Sequence, residues 1–351
     1  MKKTIFFTHN KNDFNLFFDK KALNLLDKNI KIIRNQTNRH LNDKEILKKS
    51  KDASIIITEW WTGAGEKLLQ KKNLKAIIRC GVEIKNIDFN VANKNKVAVI
   101  NVPDSYSNSV VELVICYIFA LARNLNHFHT KTISGHYNEA LIEMLSNKKV
   151  KFSKWPIFEV SGSTLGIIGF GSIGKLLRKK AESLGMKVLV YDPFCKKNKN
   201  INFVTLNYLL KNSKFVSLNA SYNNNKYLIS RKELNLMSKN SYIINTARGN
   251  LIETKALYKS IKDKKIAGAA IDVLETNQIF EKTISKNWKH SEDFANTKLN
   301  KFENIILTPH LAGITKETIK IQSEKVIKNV NLIFKGIKPK TIVNKIKSIK
   351  N

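Results

Sequence analysis

Cysteine is scarce. Cys80, Cys116 and Cys195 are the only three in 351 residues, far apart, odd in number and without C-x-x-C spacing, so neither a disulfide framework nor a metal site is expected. Long apolar runs are missing too. The longest, Val110 to Ala122, contains Glu112 and is too short to span a bilayer. At the N-terminus, Met1-Lys2-Lys3-Thr4-Ile5-Phe6-Phe7-Thr8-His9 has charges in front of only a very short apolar run. That is too little for a signal-peptide core, and it reads as a first strand. A cytoplasmic protein with no membrane partner is expected. Acidic residues are also few, 28 against 62 Lys and Arg, for a net charge of +34. Such an excess alone points to nucleic acid. Arginine, the residue favoured for base and phosphate forks, supplies only seven of the positive charges, and the lysines are spread over nearly every segment. The excess is therefore read as a Lys-, Asn- and Ile-rich bias, such as an AT-rich genome gives, and no nucleic-acid partner is expected.

What the chain does have is alternation. Apolar runs at Thr4 to Phe7, Ile30 to Ile33, Ala53 to Ile57, Ala76 to Ile78 and Val97 to Asn101 alternate with Lys- and Leu-rich helical patterns, the mark of βαβ units and a parallel sheet. After Val102-Pro103-Asp104 the pattern changes, and Ser107 to Leu125 reads as one long helix. A second series follows. Its strands are Thr164 to Ile168, Val188 to Tyr191, Phe215 to Leu218, Tyr242 to Asn245, Ala267 to Ile271 and Ile305 to Leu307, with a helix from Ser172 to Leu184. Six or seven such strands fill one doubly wound sheet. The remainder, Thr315 to Asn351, offers one amphipathic helix, Ile319 to Phe334, and a polar tail. It is expected to pack back onto the N-terminal unit, so that residues 1–104 plus 314–351 form one discontinuous domain around a second, 105–313. The fold class is α/β.

Gly169-Phe170-Gly171-Ser172-Ile173-Gly174 is a G-x-G-x-x-G fingerprint directly after an apolar strand and before a helix. Gly169 permits the tight turn, Gly171 lets the backbone approach a pyrophosphate, and Gly174 lets helix and strand pack closely. The helix N-terminus adds unpaired N–H groups and a partial positive charge. The next strand ends at Asp192, 18 residues beyond Gly174, where a carboxylate bonds the adenosine ribose hydroxyls and repels a 2′-phosphate. NAD is thus expected ahead of NADP.

Two further strands end in groups suited to chemistry. Asn245-Thr246-Ala247-Arg248-Gly249 puts a guanidinium at a strand's carboxyl edge, able to hold a carboxylate bidentately. Leu307-Thr308-Pro309-His310 puts an imidazole after another, with Asp272 closing the strand between them in sequence. In this order the motifs resemble the D-isomer-specific 2-hydroxyacid dehydrogenases, over about Ala76 to Gly313 and most densely from Leu165 to Asp272. The resemblance implies an NAD-binding Rossmann domain inserted into a discontinuous flavodoxin-like substrate domain, both doubly wound. It implies interconversion of a D-2-hydroxy acid and its 2-keto acid, with His310 as acid/base and Arg248 orienting the substrate. It implies that Asn219, Ala220, Ser221, Thr246, Ala247 and Gly313 line the cofactor, with Asp272 near the nicotinamide carboxamide. Gly81, Val82 and Glu83 would receive the substrate carboxylate, and a homodimer would form near 127–145.

The chain departs from the family pattern at three places. Five residues past Asp272, where the family has a catalytic Glu paired with the His, stands Asn277. An amide orients an imidazole but supplies no charge to imidazolium, a contribution of roughly one to three pKa units for a close pair; formate dehydrogenases of the family carry an amide there. Glu83 and Lys85 replace a glycine and a small polar residue in the substrate loop. The segment from Asn277 to His310 is also long, and reads as either a lid or a loose surface loop. A catalytically weak NAD(H)-binding regulator on the same fold is the alternative these departures raise.

Overall fold

The computed structural model describes residues 3–12, 14–59, 62–82, 84, 86–138, 157–196, 198–221, 227–275 and 298–350. Two compact units divide the chain, residues 1–106 with 314–351 and residues 107–313. Glu83, Lys85 and Asn277 lie outside the described residues.

The first unit is built on five parallel strands, β1 (Thr4–Phe7), β2 (Lys31–Arg34), β3 (Ile55–Thr58), β4 (Ala76–Arg79) and β5 (Ala98–Ile100), in the order β2-β1-β3-β4-β5. β1, β3 and β4 are buried along their whole length, which is why they read as unbroken Ile and Phe runs rather than alternating ones. Phe7, Phe14 and Phe18 fill one face together with Val326, Ile327, Val330 and Ile333 of the helix Lys316–Phe334. Phe6, Ile46, Leu68, Leu69 and Ile77 fill the other. The tail guards the sheet's edge. Ile342 bridges Ile100, Asn344 Oδ1 accepts the Val99 N–H at 2.8 Å, and Asn344 Nδ2 donates to Val97 O at 3.0 Å.

The second unit holds six parallel strands, β6 (Thr164–Ile168), β7 (Lys187–Tyr191), β8 (Phe215–Leu218), β9 (Tyr242–Asn245), β10 (Gly268–Ile271) and β11 (Ile305–Leu307), in the order β11-β10-β9-β8-β6-β7. A single parallel bridge from Val190 to Phe203 stands outside β7. Counting it as a strand, the order becomes that of the dinucleotide-binding fold, with its reversal between β6 and β8. Strand ends differ from the sequence reading by one or two residues. The expected single helix from Ser107 to Leu125 is instead two, Ser107–Ala122 and Leu125–Ile133, bent by 66°. The break falls at Asn124, whose φ of 47° is left-handed, a conformation that ends a helix and that Asn tolerates better than most residues. Val111, Val114, Ile118 and Leu121 bury the first helix in the core over Leu165, Ile167 and Ile244. That burial explains the longest apolar run; no single helix among the described residues is long and apolar enough to cross a membrane.

Candidate active site

Strand register builds the site. Tyr191, Ile168, Leu218, Asn245, Ile271 and Leu307 are level neighbours across β7, β6, β8, β9, β10 and β11. The residue that follows each of them is Asp192, Gly169, Asn219, Thr246, Asp272 and Thr308. These six therefore form a row along the carboxyl edge, where open α/β sheets hold ligands. Sequence reasoning had singled out all but Thr308.

Three glycines of the fingerprint do three different things. Gly169 has φ 93° and its added Cβ would meet Ala220 N at 2.6 Å, so both its backbone angle and its neighbours require glycine. A Cβ on Gly174 would lie 2.2 Å from Gly169 O, so the helix Ser172–Ser183 packs onto the turn only because that carbon is missing. Gly171 is the exception: a Cβ there meets nothing within 4 Å. Its openness leaves room for something other than protein, at the N-terminus of a helix whose first residues, Ser172 and Ile173, are exposed and half-buried. Phe170 turns its ring inward onto Phe203, 5.6 Å between centroids, and gives its N–H to Asp192 Oδ2 at 2.7 Å. Asp192 Oδ1 accepts from Phe194 N and Cys195 N at 2.8 and 3.1 Å, so the carboxylate is fixed beside the fingerprint turn. Phe194, 92% exposed, is left standing in solvent next to it.

Along the rest of the row, Asn219 Oδ1 and Thr246 Oγ1 are buried without a hydrogen-bond partner, as is Asn250 Oδ1 four residues past Thr246. Each such atom costs about 1–3 kcal/mol, a cost that the amide and hydroxyl groups of a bound dinucleotide would relieve. Ala220 is half-buried and Ser221 exposed, just beyond Asn219. The open face at Gly171, the fixed Asp192 and the orphaned atoms fit NAD.

Arg248 and His310 each stand three residues beyond a level strand end, on β9 and β11, with β10 between them. Two inter-strand spacings amount to about 10 Å, the span of a small substrate with its two flanking side chains. Asn245 shapes the first turn: its Oδ1 accepts Ala247 N at 3.1 Å and its Nδ2 donates to Arg248 O at 2.9 Å. The turn sits so close to the one after β10 that a Cβ on Gly249 would overlap Leu274 O at 1.6 Å. Arg248 Nη1 donates to Ala247 O at 2.7 Å, and its side chain is half-buried. Asp272 is 1% exposed. Its carboxylate accepts Thr308 Oγ1 at 2.5 Å, Leu311 N at 2.9 Å and Ala312 N at 3.0 Å, and its carbonyl accepts His310 N at 2.8 Å. Gly313, half-buried, follows this turn. Glu275, near in sequence to Asn277, is occupied elsewhere. It accepts Thr254 N at 3.0 Å at the start of the helix Thr254–Lys262 and bonds the Tyr227 hydroxyl.

In the first unit, Gly81 (φ 147°) turns the chain after β4, and its carbonyl accepts Val102 N at 3.1 Å. Val82 is 47% exposed, with its carbonyl held by Asn101 Nδ2 at 3.0 Å. Sequence reasoning passed over a buried polar cluster at this sheet's carboxyl edge. Glu59, 3% exposed, bonds Thr8 Oγ1 at 2.7 Å, His40 Nδ1 at 3.0 Å and the Thr62 hydroxyl. Burial pushes its carboxyl up, but the bond to His40, the charge of His9 and the bonds from Thr62 and Thr8 outweigh that and bring it to about 2. Its members come from three separate segments, so no local motif announces it.

Residues 115–312 match the family described as D-isomer specific 2-hydroxyacid dehydrogenase, NAD binding domain. The chain belongs to this family. It is accordingly an NAD-dependent oxidoreductase acting on the CH–OH group of a hydroxy acid. It is 31% identical over 310 residues to the glyoxylate reductase of Thermococcus litoralis, covering 86% of this chain and 86% of that enzyme. It is 31% identical over 322 residues to the D-3-phosphoglycerate dehydrogenase of Methanocaldococcus jannaschii, covering 87% of this chain but only 54% of that enzyme, so it spans about half that relative's length. The fold is that of a D-2-hydroxyisocaproate dehydrogenase, with TM-score 0.81 over 98% of this chain and 100% of that one at 23% identity.

Proposed function

We propose that this dehydrogenase interconverts a small D-2-hydroxy acid and its 2-keto acid, with His310 as acid/base and Arg248 as substrate anchor. The observation that supports this best is the level row at the carboxyl edge, which sets cofactor-type residues on β6, β7 and β8 beside the turns bearing Arg248 and His310. When bound, NAD(H) supplies the hydride acceptor or donor. Gly169 to Gly174 hold its pyrophosphate and Asp192 its adenosine ribose, favouring NAD over NADP. Asn219, Ala220, Ser221, Thr246, Ala247 and Gly313 line it, and Asp272 sits toward the carboxamide end. Arg248 holds the substrate carboxylate and polarises the C2 carbonyl. His310 gives a proton to the C2 oxygen in reduction and takes it back in oxidation. Gly81, Val82 and Glu83 receive the carboxylate on backbone N–H groups, which makes residues 1–104 plus 314–351 the substrate domain and 105–313 the cofactor domain. The reading includes a homodimer and, with three free cysteines, a cytoplasmic location. Glyoxylate heads the candidates, on the name of the Thermococcus litoralis relative.

The test is NADH oxidation across pH with glyoxylate, pyruvate, hydroxypyruvate and phosphohydroxypyruvate, for the wild type and Asn277→Glu. Turnover is expected in both. Reduction needs the protonated imidazole, and a carboxylate at 277 stabilises it, so the variant's activity persists to a pH higher by about one to three units. Tight NADH binding without turnover in the wild type would favour the regulator instead.

A further inference from the structure

His310 is one of the few non-glycine residues with a left-handed backbone, φ 56°, a conformation that costs roughly 1–2 kcal/mol. Such strain persists only where the surroundings over-determine it. Here every backbone N–H from 308 to 312 has a partner: Thr308 N bonds Ile271 O at 3.1 Å, His310 N bonds Asp272 O, and Leu311 N and Ala312 N bond the two oxygens of the Asp272 carboxylate. Pro309 has none to give. Asp272 is in turn held by Thr308, whose Oγ1 donates to Asp272 Oδ1 at 2.5 Å. With that proton committed, the Thr308 oxygen is an acceptor, and the group that faces it is the Tyr117 hydroxyl. Tyr117 is 2% exposed on the helix Ser107–Ala122, and burial pushes its hydroxyl up from the ordinary value of 10.0, so it remains a proton donor throughout the working range. The same helix reaches the other end of the turn, where Ser109 Oγ donates to Ala312 O at 2.5 Å.

We propose that Tyr117 and Thr308 are positioning residues that hold the His310 turn in its left-handed form through Asp272. The proton order runs from Tyr117 O–H to Thr308 Oγ1, and from Thr308 O–H to Asp272 Oδ1. Tyr117 thereby denies Thr308 the rotamers in which its hydroxyl leaves Asp272, and a carboxylate so held keeps both of its oxygens on Leu311 and Ala312. A core helix thus carries a hydroxyl whose function is to aim an imidazole. The kinetic part of this inference rests on the dehydrogenase reading, while the structural part does not.

The experiment compares the wild type, Tyr117→Phe, Thr308→Val and the double variant, which remove hydroxyls and leave the shape. Measured are kcat, KM and the pH profile of kcat with glyoxylate, the NADH affinity, and amide exchange at Leu311 and Ala312. Tyr117→Phe is expected to lower kcat about five-fold, the weight of one hydrogen bond, to shift the pH profile, and to leave NADH affinity unchanged. Exchange at Leu311 and Ala312 should quicken. The double variant should be no worse than Thr308→Val, because both act through one chain. A fall in melting temperature with kcat and pH profile unmoved, or additive losses, would overturn the proposal. Should the wild type turn over no substrate, the dehydrogenase reading fails on its own, and exchange decides this inference: quickened amides at 311 and 312 uphold it, unchanged ones reject it.

Discussion

Gly171 and Gly174 lie three residues apart in one motif and answer to different forces. Gly174 is glycine because protein backbone is already where its Cβ would be, whereas Gly171 has nothing near it. Gly174→Ala is therefore expected to destabilise the fold, since Gly169 O cannot withdraw without opening the turn. Gly171→Ala is expected to keep the wild-type melting temperature and weaken NADH binding about ten-fold, a loss of about 1.4 kcal/mol. Thermal melts and NADH fluorescence titrations on both variants check this, and an unchanged NADH affinity in Gly171→Ala would refute it. The glycine pattern, with Gly171 set toward a pyrophosphate and Gly174 toward helix–strand packing, was legible in the chain; that the carbonyl of Gly169 is the group standing where a Gly174 Cβ would be was not, because that depends on what packs behind the turn. Glu275 shows the same limit. It stands two residues from Asn277 in the chain, yet its carboxylate caps the helix Thr254–Lys262.

At the scale of elements, β1, β3 and β4 converge on a buried His9, both of whose ring nitrogens lack a hydrogen-bond partner. Its ring packs edge-on among Phe7, Phe14 and Phe18. Burial lowers its pKa from 6.5 to about 4, with Glu59 opposing and Arg79 and His40 assisting. Between those values the unfolded chain binds a proton that the folded chain refuses. Stability is thus full above about pH 6.5 and falls as the pH drops toward 4, by on the order of 3 kcal/mol. The loss continues below pH 4.5 as Glu59, depressed to about 2, takes up its proton. His9→Phe is expected to flatten the upper part of this slope. Urea midpoints at pH 7, 5.5 and 4.5 would test it, and a variant slope as steep as the wild type's would exclude His9 as the cause. The strands themselves were legible as apolar runs, because burial on both faces leaves an unbroken pattern. The break at Asn124 was not, since Leu125 lies four residues past Leu121 and still fits the helical period, and only a left-handed φ ends the helix.

On the whole-molecule scale, the proposed homodimer has a face to form on. Leu125 and Ile133 are 58% and 70% exposed on the helix Leu125–Ile133, and Tyr137 just beyond it is 59% exposed. Apolar side chains this exposed on one short stretch suit a surface that a second subunit covers. Light scattering is expected to give twice the chain mass of 40.1 kDa, and Leu125→Lys with Ile133→Lys to give the chain mass while NADH binding is kept. A wild type that elutes as a monomer, or a double variant that stays dimeric, would move the interface elsewhere.

By itself the sequence determined the α/β class, both strand series, the fingerprint and the order Arg248, Asp272, His310, because hydrophobic periodicity and glycine spacing are local properties written along the chain. Only the tertiary structure decided that six strand ends are level, that Asp272 braces the His310 turn, and that Tyr117 joins it from a core helix. Those facts are register and packing relations between residues up to 191 positions apart, and hydrogen-bond partners at that separation leave no periodicity to read.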